Sequence, residues 1–436
     1  MRDLVLFNVA AVVSTRWIAA AAHAGPGTLV LWVFAAIFFL VPTALTATGL
    51  AERFPHEGGI YVWIREAFGP GHGFACSWFY YLNNLFWVPS VLVASIGMVA
   101  YAFSEKSVKY FENPRVLVPV TLVILTFVIA SNYVGMRVAK WVDNCGGAGA
   151  YLIWVALVVS AVAFLALHHS TTHFDLRPRL DWEKVNFWSQ MAFGMTGLEL
   201  SPILGGEIHN PRRTIVRATW ISACLIVLFY VAGTGAILVF RNPEHVSPVV
   251  GLSEASRDAA QMLGWTWVPL LVAFSILFSV GGQLGTYIGA CARLPFVLGI
   301  DSLLPKFFAR LHPRYGTPST SILALGFGSA ILLVISQLGE TVRAAYQILI
   351  DMSVITLFIP FLYLFAAGWK FGIRWPAVSG TAVSLLAIAF SFAPTEDVRS
   401  VWLFETKLIG GCVILSFAAW AIYRRYKLRA AQSIGL

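Results

Sequence analysis

Residues 193–199 read Phe-Gly-Met-Thr-Gly-Leu-Glu, and Pro202, Gly205 and Gly206 follow closely along the chain. The segment lies inside a long apolar run that otherwise has the composition of a membrane helix. Glycine and proline both weaken the helical hydrogen-bond ladder, so the segment predicts a helix that is interrupted inside the bilayer. An interruption exposes backbone carbonyl and N–H groups, which a membrane tolerates only where they line a cavity. Such half-helix ends can bind a carboxylate, an ammonium group or an ion, although glycines also serve close helix packing.

The composition of the whole chain is that of an all-α integral membrane protein. Of its 436 residues 58% are hydrophobic and 12% are charged, whereas soluble domains carry about 25% charged residues. This excludes a soluble enzyme, a disordered chain and a secreted disulfide scaffold, and the long apolar runs disfavour an outer-membrane barrel. The runs predict twelve transmembrane helices, near 4–24, 28–49, 73–103, 115–134, 144–167, 187–205, 214–240, 265–292, 318–337, 343–369, 376–394 and 402–423.

The loops between these helices are short, so we expect residues 1–436 to form a single polytopic membrane domain. Lys and Arg are more frequent in the loops on the side that both termini share, which predicts cytoplasmic termini and insertion in the cell membrane. The net charge of +9 is spread over these loops and is not clustered on one face. We therefore expect the lipid bilayer as a partner and no nucleic acid.

Three ionisable residues fall inside the predicted helices: Arg16 in the first, Glu199 in the sixth and Asp351 in the tenth. Charged side chains are costly in a bilayer, so each is a candidate functional residue. In one interpretation Arg16 and a carboxylate form a structural ion pair. In the other, the three residues line a polar cavity and contact a substrate or protons.

Further polar residues interrupt other predicted helices. Ser14-Thr15-Arg16-Trp17 separates two apolar stretches of the first helix, and Asn83-Asn84 is a polar pair in the third. Because adjacent residues point about 100° apart on a helix, at most one of these asparagines can face a central site squarely. In the eighth helix Ser275 and Ser279 belong to a stripe of small and polar residues, which serves either packing or ion ligation.

No pattern in the chain is typical of catalysis or metal binding. The five cysteines lie in or beside apolar runs without CxxC spacing, and the chain has no HExxH motif, P-loop or Ser-His-Asp arrangement. We therefore expect no enzyme activity, no metal and no cofactor.

Three separated motifs resemble a known family. Residues 197–199 together with 206–215 resemble the sixth-helix signature of amino acid permeases of the amino acid–polyamine–organocation superfamily. Residues 54–69 are similar to the loop after helix two in that family, and residues 292–318 to the loop after helix eight.

The resemblance implies a five-plus-five inverted repeat with helices 1 and 6 broken around the substrate. The first repeat would cover about 4–167 and the second about 187–369, followed by helices 11 and 12 at about 376–423. It also implies alternating access for a small-molecule amino acid substrate, coupled to a proton or sodium or operating by exchange.

The resemblance also assigns residues by position. Phe193 matches an aromatic residue that closes over the substrate, Glu199 an acidic residue just past the break, and Asp351 a tenth-helix pocket position. Asn83, Asn84 and Tyr287 match other pocket positions. With the residues above, the predicted substrate-binding set is Ser14, Thr15, Arg16, Trp17, Asn83, Asn84, Phe193, Met195, Thr196, Gly197, Tyr287 and Asp351. The predicted coupling or gating set is Arg16, Phe193, Glu199, Asp351, Ser275 and Ser279.

The sequence departs from the family pattern in two places. The Gly-x-Gly element of helix 1, which presents N–H groups to a substrate carboxylate, is absent, and Ala150 stands where many members carry a lysine. We hypothesise that Arg16 replaces one of these functions, either by binding the substrate carboxylate or by occupying the vacant cation position. A raised proton affinity of Glu199 or Asp351 would support proton coupling.

Three alternatives stay open at this point. The first is a transporter of polyamines or other organic cations: the carboxylate of Asp351 would attract a cationic substrate, whereas Arg16 would repel it. A major-facilitator carrier is disfavoured because the loop after helix two reads Glu52-Arg53-Phe54-Pro55. A channel or membrane-embedded receptor is the third alternative.

Overall fold

The computed structural model describes residues 1–54, 58–111, 113–178, 185–203, 208, 210–337, 342–393 and 401–434. The regular structure of these residues is helical. The α-helices are α1 (Arg2–Val12), α2 (Thr15–Ala24), α3 (Thr28–Ala35), α4 (Val41–Arg53), α5 (Ile60–Phe68), α6 (Pro70–Phe103), α7 (Glu105–Phe111), α8 (Pro114–Val134), α9 (Met136–Leu167), α10 (Val185–Gly194), α11 (Pro211–Phe240), α12 (Gly251–Leu263), α13 (Val268–Cys291), α14 (Arg293–Ile300), α15 (Ser319–Ser336), α16 (Val342–Lys370), α17 (Arg374–Phe390) and α18 (Val401–Ile434).

In the described part of the chain, nine segments are long and apolar enough to cross a membrane. One of them joins α3 to α4 through a π-helical turn at Ala36–Leu40. The pair α1 and α2, bent by 46° at a short break, forms a tenth candidate. Helices α10 and α17, of 10 and 17 residues, coincide with the remaining two predicted helices. The chain is thus a multi-pass membrane protein, and the count of twelve spans and the inverted repeat stay predictions.

The helices divide into a buried central group and an outer group. Most of α6, α13 and α16 is buried, whereas α8 and α18 expose most of their surface. The exposed side chains of the outer helices are large and apolar, for example Phe127, Phe327 and Phe417. Apolar side chains on an outer surface are expected where lipid is the solvent. The central group therefore forms the protein interior in which a polar site can be built.

Helices α9 and α13 cross at glycines. A Cβ atom placed on Gly146 would lie 2.4 Å from the Cα of Gly282, and one on Gly149 would lie 2.9 Å from the carbonyl oxygen of Ser275. Only glycine permits such an approach of two helix backbones, which is how membrane helices gain packing energy. This supports the packing explanation of the small-residue stripe in the eighth predicted helix.

The short helix α5 is bound to the loop that follows α14, which lies on the predicted cytoplasmic side. The Tyr61 hydroxyl and Nη1 of Arg65 both donate to Oδ2 of Asp301, the second at 2.8 Å. Burial, together with the bond to Asp301, raises the pKa of Tyr61. Partial burial lowers the pKa of Arg65, but the bonds to Asp301 and Glu66 outweigh it and the pKa is raised overall. We call Tyr61, Arg65 and Asp301 the loop latch.

Candidate functional site

The predicted break in the first helix is present. The α-helix ends at Val12, Val13 and Ser14 have extended backbone, and a second helix begins at Thr15. The side chain of Ser14 makes no capping hydrogen bond. The break therefore leaves backbone groups of both half-helices to be satisfied by other parts of the protein.

The sixth helix is interrupted as well. Helix α10 ends at Gly194, residues 195–200 are irregular, and residues 201–203 form a short 3-10 turn. Gly197 has φ of +123°, a conformation that L side chains rarely adopt. A Cβ atom on Gly197 would also lie 3.0 Å from Cγ2 of Val12 and 3.1 Å from the hydroxyl of Tyr287. Glycine at this position thus allows the two breaks to touch, while Gly205 and Gly206 lie outside the described residues.

Tyr230 of α11 joins the two interrupted helices. Its hydroxyl lies 2.8 Å from the carbonyl oxygen of Val12 and 2.9 Å from that of Gly194, and it accepts a 3.2 Å hydrogen bond from the N–H of Ser14. The ring stacks on Trp32, with centroids 4.2 Å apart and planes 9° apart. One buried hydroxyl therefore serves three of the backbone groups that the breaks expose.

Gln283 of α13 supplies a second partner for the break in the first helix. Its Nε2 donates to the carbonyl oxygen of Val13 at 3.2 Å and to that of Ala11 at 3.4 Å. The amide thus satisfies two carbonyl oxygens that would otherwise attract a cation.

Arg16 is buried directly after the break, with 3% of its surface exposed. Its Nη1 donates to Oγ of Ser90 at 3.2 Å, and its guanidinium lies 4.2 Å from the ring centroid of Trp17. Nε and Nη2 are buried without a hydrogen-bond partner. Within the described ranges no carboxylate forms an ion pair with Arg16, so the structural ion pair considered from the sequence is wrong for this part of the chain.

The hydroxyls of several tyrosines surround this guanidinium. Arg16 interacts electrostatically with Tyr346, Tyr230 and Tyr287. Tyr346 also interacts with Asp351, which accepts a 2.8 Å hydrogen bond from Gln347. Tyr346 further lines a cavity of about 340 Å³ between α6, α7 and α12. The cavity places an open space next to a neighbour of Arg16.

Glu199 is completely buried and bridges the sixth-helix break to the third predicted helix. Its Oε1 accepts a 2.6 Å hydrogen bond from the hydroxyl of Tyr80, and its Oε2 accepts a 2.9 Å bond from the N–H of Gly197. Glu199 therefore stabilises the irregular segment, and any change in its protonation alters both bonds.

Aromatic rings pack in pairs beside the two breaks. Trp17 and Phe193 meet edge to face with centroids 5.8 Å apart, and Trp87 packs on Tyr287 at 4.3 Å. All four residues are buried. Phe193 thus contacts the helix that carries Arg16, and its role in closing over a substrate stays a prediction.

Other predicted residues occupy the same region with different bonding. Thr196 donates to the carbonyl oxygen of Phe193 at 2.7 Å, and Met195 is fully buried. Asn84 donates to the carbonyl oxygen of Tyr80 and to Sγ of Cys291. Both amide atoms of Asn83 are buried without a partner. Oδ1 of Asn84 also lacks a partner, so among the described contacts Asn83 has both amide groups to spare and Asn84 only its oxygen.

Ser275 and Ser279 lie at the crossing of α9 and α13, because a Cβ atom on Gly149 would contact the backbone of both. Their role in coupling stays a prediction. Thr15 is buried with its hydroxyl 3.8 Å from Sδ of Met98, which places it on the side of α2 that faces α6.

The sequence analysis missed several residues of the site. Tyr230, Trp87 and Ser90 lie in unbroken apolar runs, where nothing in the local pattern separates them from ordinary core residues. The fifth helix predicted near 144–167 leaves Asp143 in an aqueous loop, and this is wrong: α9 begins at Met136, and Asp143 is 6% exposed within it.

The arrangement can hold a small molecule with an anionic group. It offers the three N–H groups on Nε and Nη2 of a buried cation, a polar amide at Asn83 and the aromatic pair of Trp17 and Phe193. Each of these groups faces the interior and not the lipid.

Comparisons with known proteins identify the family of the chain. A family profile described as amino acid permease matches residues 2–428. An uncharacterized transporter of Legionella pneumophila is 28% identical over 97% of this chain and 96% of its own length. A probable agmatine/putrescine antiporter of Lactococcus lactis is 22% identical over 78% of this chain and 72% of its own. A polyamine transporter of Oryza sativa is 25% identical over 75% of this chain and 59% of its own.

The crystal structure of MhsT in complex with L-phenylalanine has the same overall fold. Its TM-score is 0.64 at 14% identity, covering 97% of this chain and 98% of MhsT. At this identity the likeness concerns the fold alone. Because the family profile covers nearly the whole sequence, however, the chain belongs to the amino acid permeases of the amino acid–polyamine–organocation superfamily.

Proposed function

We propose that the protein is a secondary active transporter that moves amino acids across the cell membrane by alternating access. The observation that carries this proposal is the buried guanidinium of Arg16, whose Nε and Nη2 have no partner. A substrate carboxylate is the group that such a guanidinium binds best, because two parallel N–H bonds fit its two oxygens. Both termini would lie in the cytoplasm.

The free energy of the site supports an anionic ligand. A buried charge left without its counter-charge destabilises a protein by about 3–5 kcal/mol. Ser90 and the ring of Trp17 compensate only part of this, since both are electrically neutral. An arriving carboxylate neutralises the charge and recovers that free energy, which makes binding of an acid group favourable. In this role Arg16 replaces the absent Gly-x-Gly element.

The interrupted helices would bind the rest of the substrate. Asn83 and the irregular segment around Gly197 offer hydrogen-bonding groups, and Trp17 and Phe193 would close over the bound molecule. A five-plus-five inverted repeat with rocking of one helix group against the other would then expose the site to each side in turn. The likeness to MhsT supports the fold that this motion requires.

The coupling ion is proposed to be a proton. Glu199 is fully buried and bonded only to uncharged groups, Tyr80 and the Gly197 N–H, in the described residues. Such a carboxylate exchanges a proton when water reaches it. Asp351 is the second candidate, and sodium coupling or exchange are the alternatives that transport measurements separate.

Polyamine transport is the second candidate function. It is favoured by the two relatives named as transporters of polyamines or of agmatine and putrescine. Asp351 would then bind an ammonium group of the substrate. The positive charge of Arg16 opposes this assignment, so the two functions make opposite demands on the same residue.

Uptake into proteoliposomes tests the proposal. A thermal-stabilisation screen of the twenty amino acids first identifies a ligand. Uptake of that ligand, labelled, is then measured in the presence of unlabelled leucine, glutamate, arginine or putrescine as competitor. We expect Arg16→Ala to weaken uptake about 10- to 150-fold, which corresponds to the ~1.5–3 kcal/mol of a hydrogen bond to a charged group. Arg424→Ala is the matched control, because Arg424 also stacks on a tryptophan but is exposed.

Three outcomes contradict the proposal. Unchanged uptake in Arg16→Ala would show that Arg16 does not bind a substrate carboxylate. Stabilisation by putrescine but by none of the amino acids would favour the polyamine function, and unsaturable counterflow would favour a channel.

A further inference from the structure

We propose that Asp143 is a proton-binding site, separate from the substrate site, that holds a proton while α1, α9 and α13 are packed together. It releases this proton towards the predicted cytoplasmic side when the packing opens. Binding of the proton does not depend on the identity of the substrate. The release step rests on the alternating access proposed above.

The side chain of Asp143 is buried with one carboxyl oxygen unsatisfied. The residue is 6% exposed, and its Oδ1 has no hydrogen-bond partner. In the part of the chain that the structure describes, Asp143 takes part in no ion pair. An ionised carboxylate in such surroundings is strongly destabilised, whereas the neutral acid is tolerated.

The helix opposite Asp143 is shaped to receive this group. A Cβ atom on Gly285 of α13 would lie 2.6 Å from Oδ1 of Asp143, so only glycine leaves room for the carboxyl group. Nδ2 of Asn132 lies 3.8 Å from this Cβ position on Gly285 and donates to the carbonyl oxygen of Val128. The amide of Asn132 is therefore engaged within its own helix.

The charged groups around Asp143 are already paired with others. Lys140, one turn earlier on α9, binds Asp3 of α1 at 2.8 Å, and both are about half exposed. From α8 the nearest side chain is the uncharged Asn132, and α13 presents glycines. Arg293, which follows α13, donates to the carbonyl oxygen of Gly289. Thus no facing element supplies a cation to Asp143 among the described contacts.

The packing around Asp143 connects its protonation to the conformation of the protein. One turn further along α9, a Cβ atom on Gly147 would lie 3.0 Å from the carbonyl oxygen of Leu6 on α1. On the neighbouring face Gly146 meets Gly282 of α13. If α1 moves away from α9, water reaches Asp143 and the ionised form becomes acceptable. A proton bound to Asp143 therefore stabilises the closed arrangement.

Infrared difference spectroscopy of the purified protein in lipid, without substrate, tests the proton site directly. We expect wild type at neutral pH to show a carbonyl stretching band of a protonated carboxyl group that is absent in Asp143→Asn. Asp3→Asn is the matched control, because Asp3 carries an exposed ion pair on the adjacent helix, and it should retain the band. Identical bands in wild type and a folded Asp143→Asn variant would overturn the proposal.

A second variant covers the case in which Asp143→Asn does not fold. Gly285→Ala places a methyl group where Oδ1 of Asp143 now lies, so the carboxyl group must move. We expect its band to change frequency, and an unchanged band would overturn the assignment.

Transport measurements then test the release step. We expect wild-type uptake to accelerate as the internal pH rises, by at most about tenfold per pH unit for one proton. In Asp143→Asn this dependence should be weaker than in wild type, because the proton of Glu199 is still released, while substrate still raises the unfolding temperature. An internal-pH dependence that is as steep in Asp143→Asn as in wild type would overturn the release step. If amino acids do not raise the unfolding temperature of the wild-type protein, the proposed amino acid function is contradicted instead.

Discussion

Tyr230→Phe isolates the hydroxyl that joins the two interrupted helices. The substitution keeps the ring, its stacking on Trp32 and its edge contact with Phe229 at 5.7 Å. It removes the acceptor of the Ser14 N–H and the donor to the carbonyl oxygen of Val12 or Gly194. The change is therefore confined to the polar contacts of the breaks.

The size of the effect follows from the groups that lose a partner. Ser14 is 6% exposed, and leaving its N–H unpaired in a buried position costs about 1–3 kcal/mol. Loss of the bond that the hydroxyl donates adds about 1 kcal/mol. We expect Tyr230→Phe to lower the free energy of unfolding by about 2–4 kcal/mol, because water cannot replace the hydroxyl inside the bilayer.

The assay is thermal unfolding in lipid nanodiscs, followed by tryptophan fluorescence, together with ligand binding. Tyr151→Phe is the matched control, since the Tyr151 hydroxyl is buried without a partner and its removal should be neutral or stabilising. The reasoning is refuted if Tyr230→Phe unfolds at the wild-type temperature, or if Tyr151→Phe is destabilised as much.

Two further predictions concern packing and the loop latch. Gly146→Ala should strongly destabilise the protein, because its Cβ would lie 2.4 Å from the Cα of Gly282, whereas Gly410→Ala, which meets no atom within 4 Å, should be neutral; equal unfolding temperatures would contradict close packing. Because the pKa of Arg65 is raised, its guanidinium is charged at every pH below the ordinary pKa of arginine and stays charged somewhat above it. The stability that Arg65 contributes to the loop latch is therefore retained from about pH 6 to about pH 9 and lost only in strong alkali. Asp301→Asn should lower the unfolding temperature by the same amount at both ends of this range, and a difference that shrinks steadily as pH rises would show that Arg65 loses its proton there.

The breaks in the first and sixth helices could be predicted because they depend on local chemistry. Ser14-Thr15-Arg16-Trp17 places polar groups in an apolar run, and Gly194 and Gly197 weaken the helix at the position where α10 ends. Helix interruption is decided largely by the residues at the interruption itself, so a single sequence is sufficient.

The partners of the breaks could not be predicted. Tyr230 is 216 residues from Ser14, and Gln283 is 270 residues from Val13. Neither residue differs in its local pattern from many other core residues. The resemblance to a family implied that helices 1 and 6 are broken, but it did not indicate which side chains satisfy the exposed backbone.

The burial of Asp143 could not be predicted from the local sequence either. Next to Lys140 in sequence, it has the character of a residue in an aqueous loop. Its burial results from the approach of α13, where Gly285 leaves room for the carboxyl group. Whether a charge near a helix end is exposed depends on which helix covers it.

The amino-acid sequence by itself determined that this chain is a helical membrane protein, where its helices run and where two of them are interrupted. These properties follow from apolar length and from glycine, proline and polar residues acting on their own segments. Only the tertiary structure decided that Arg16 has no counter-charge among the described residues, while Glu199 is held by Tyr80 and Gly197. The physical reason is that compensation of a buried charge depends on distances between side chains on different helices, and the packing of those helices sets these distances.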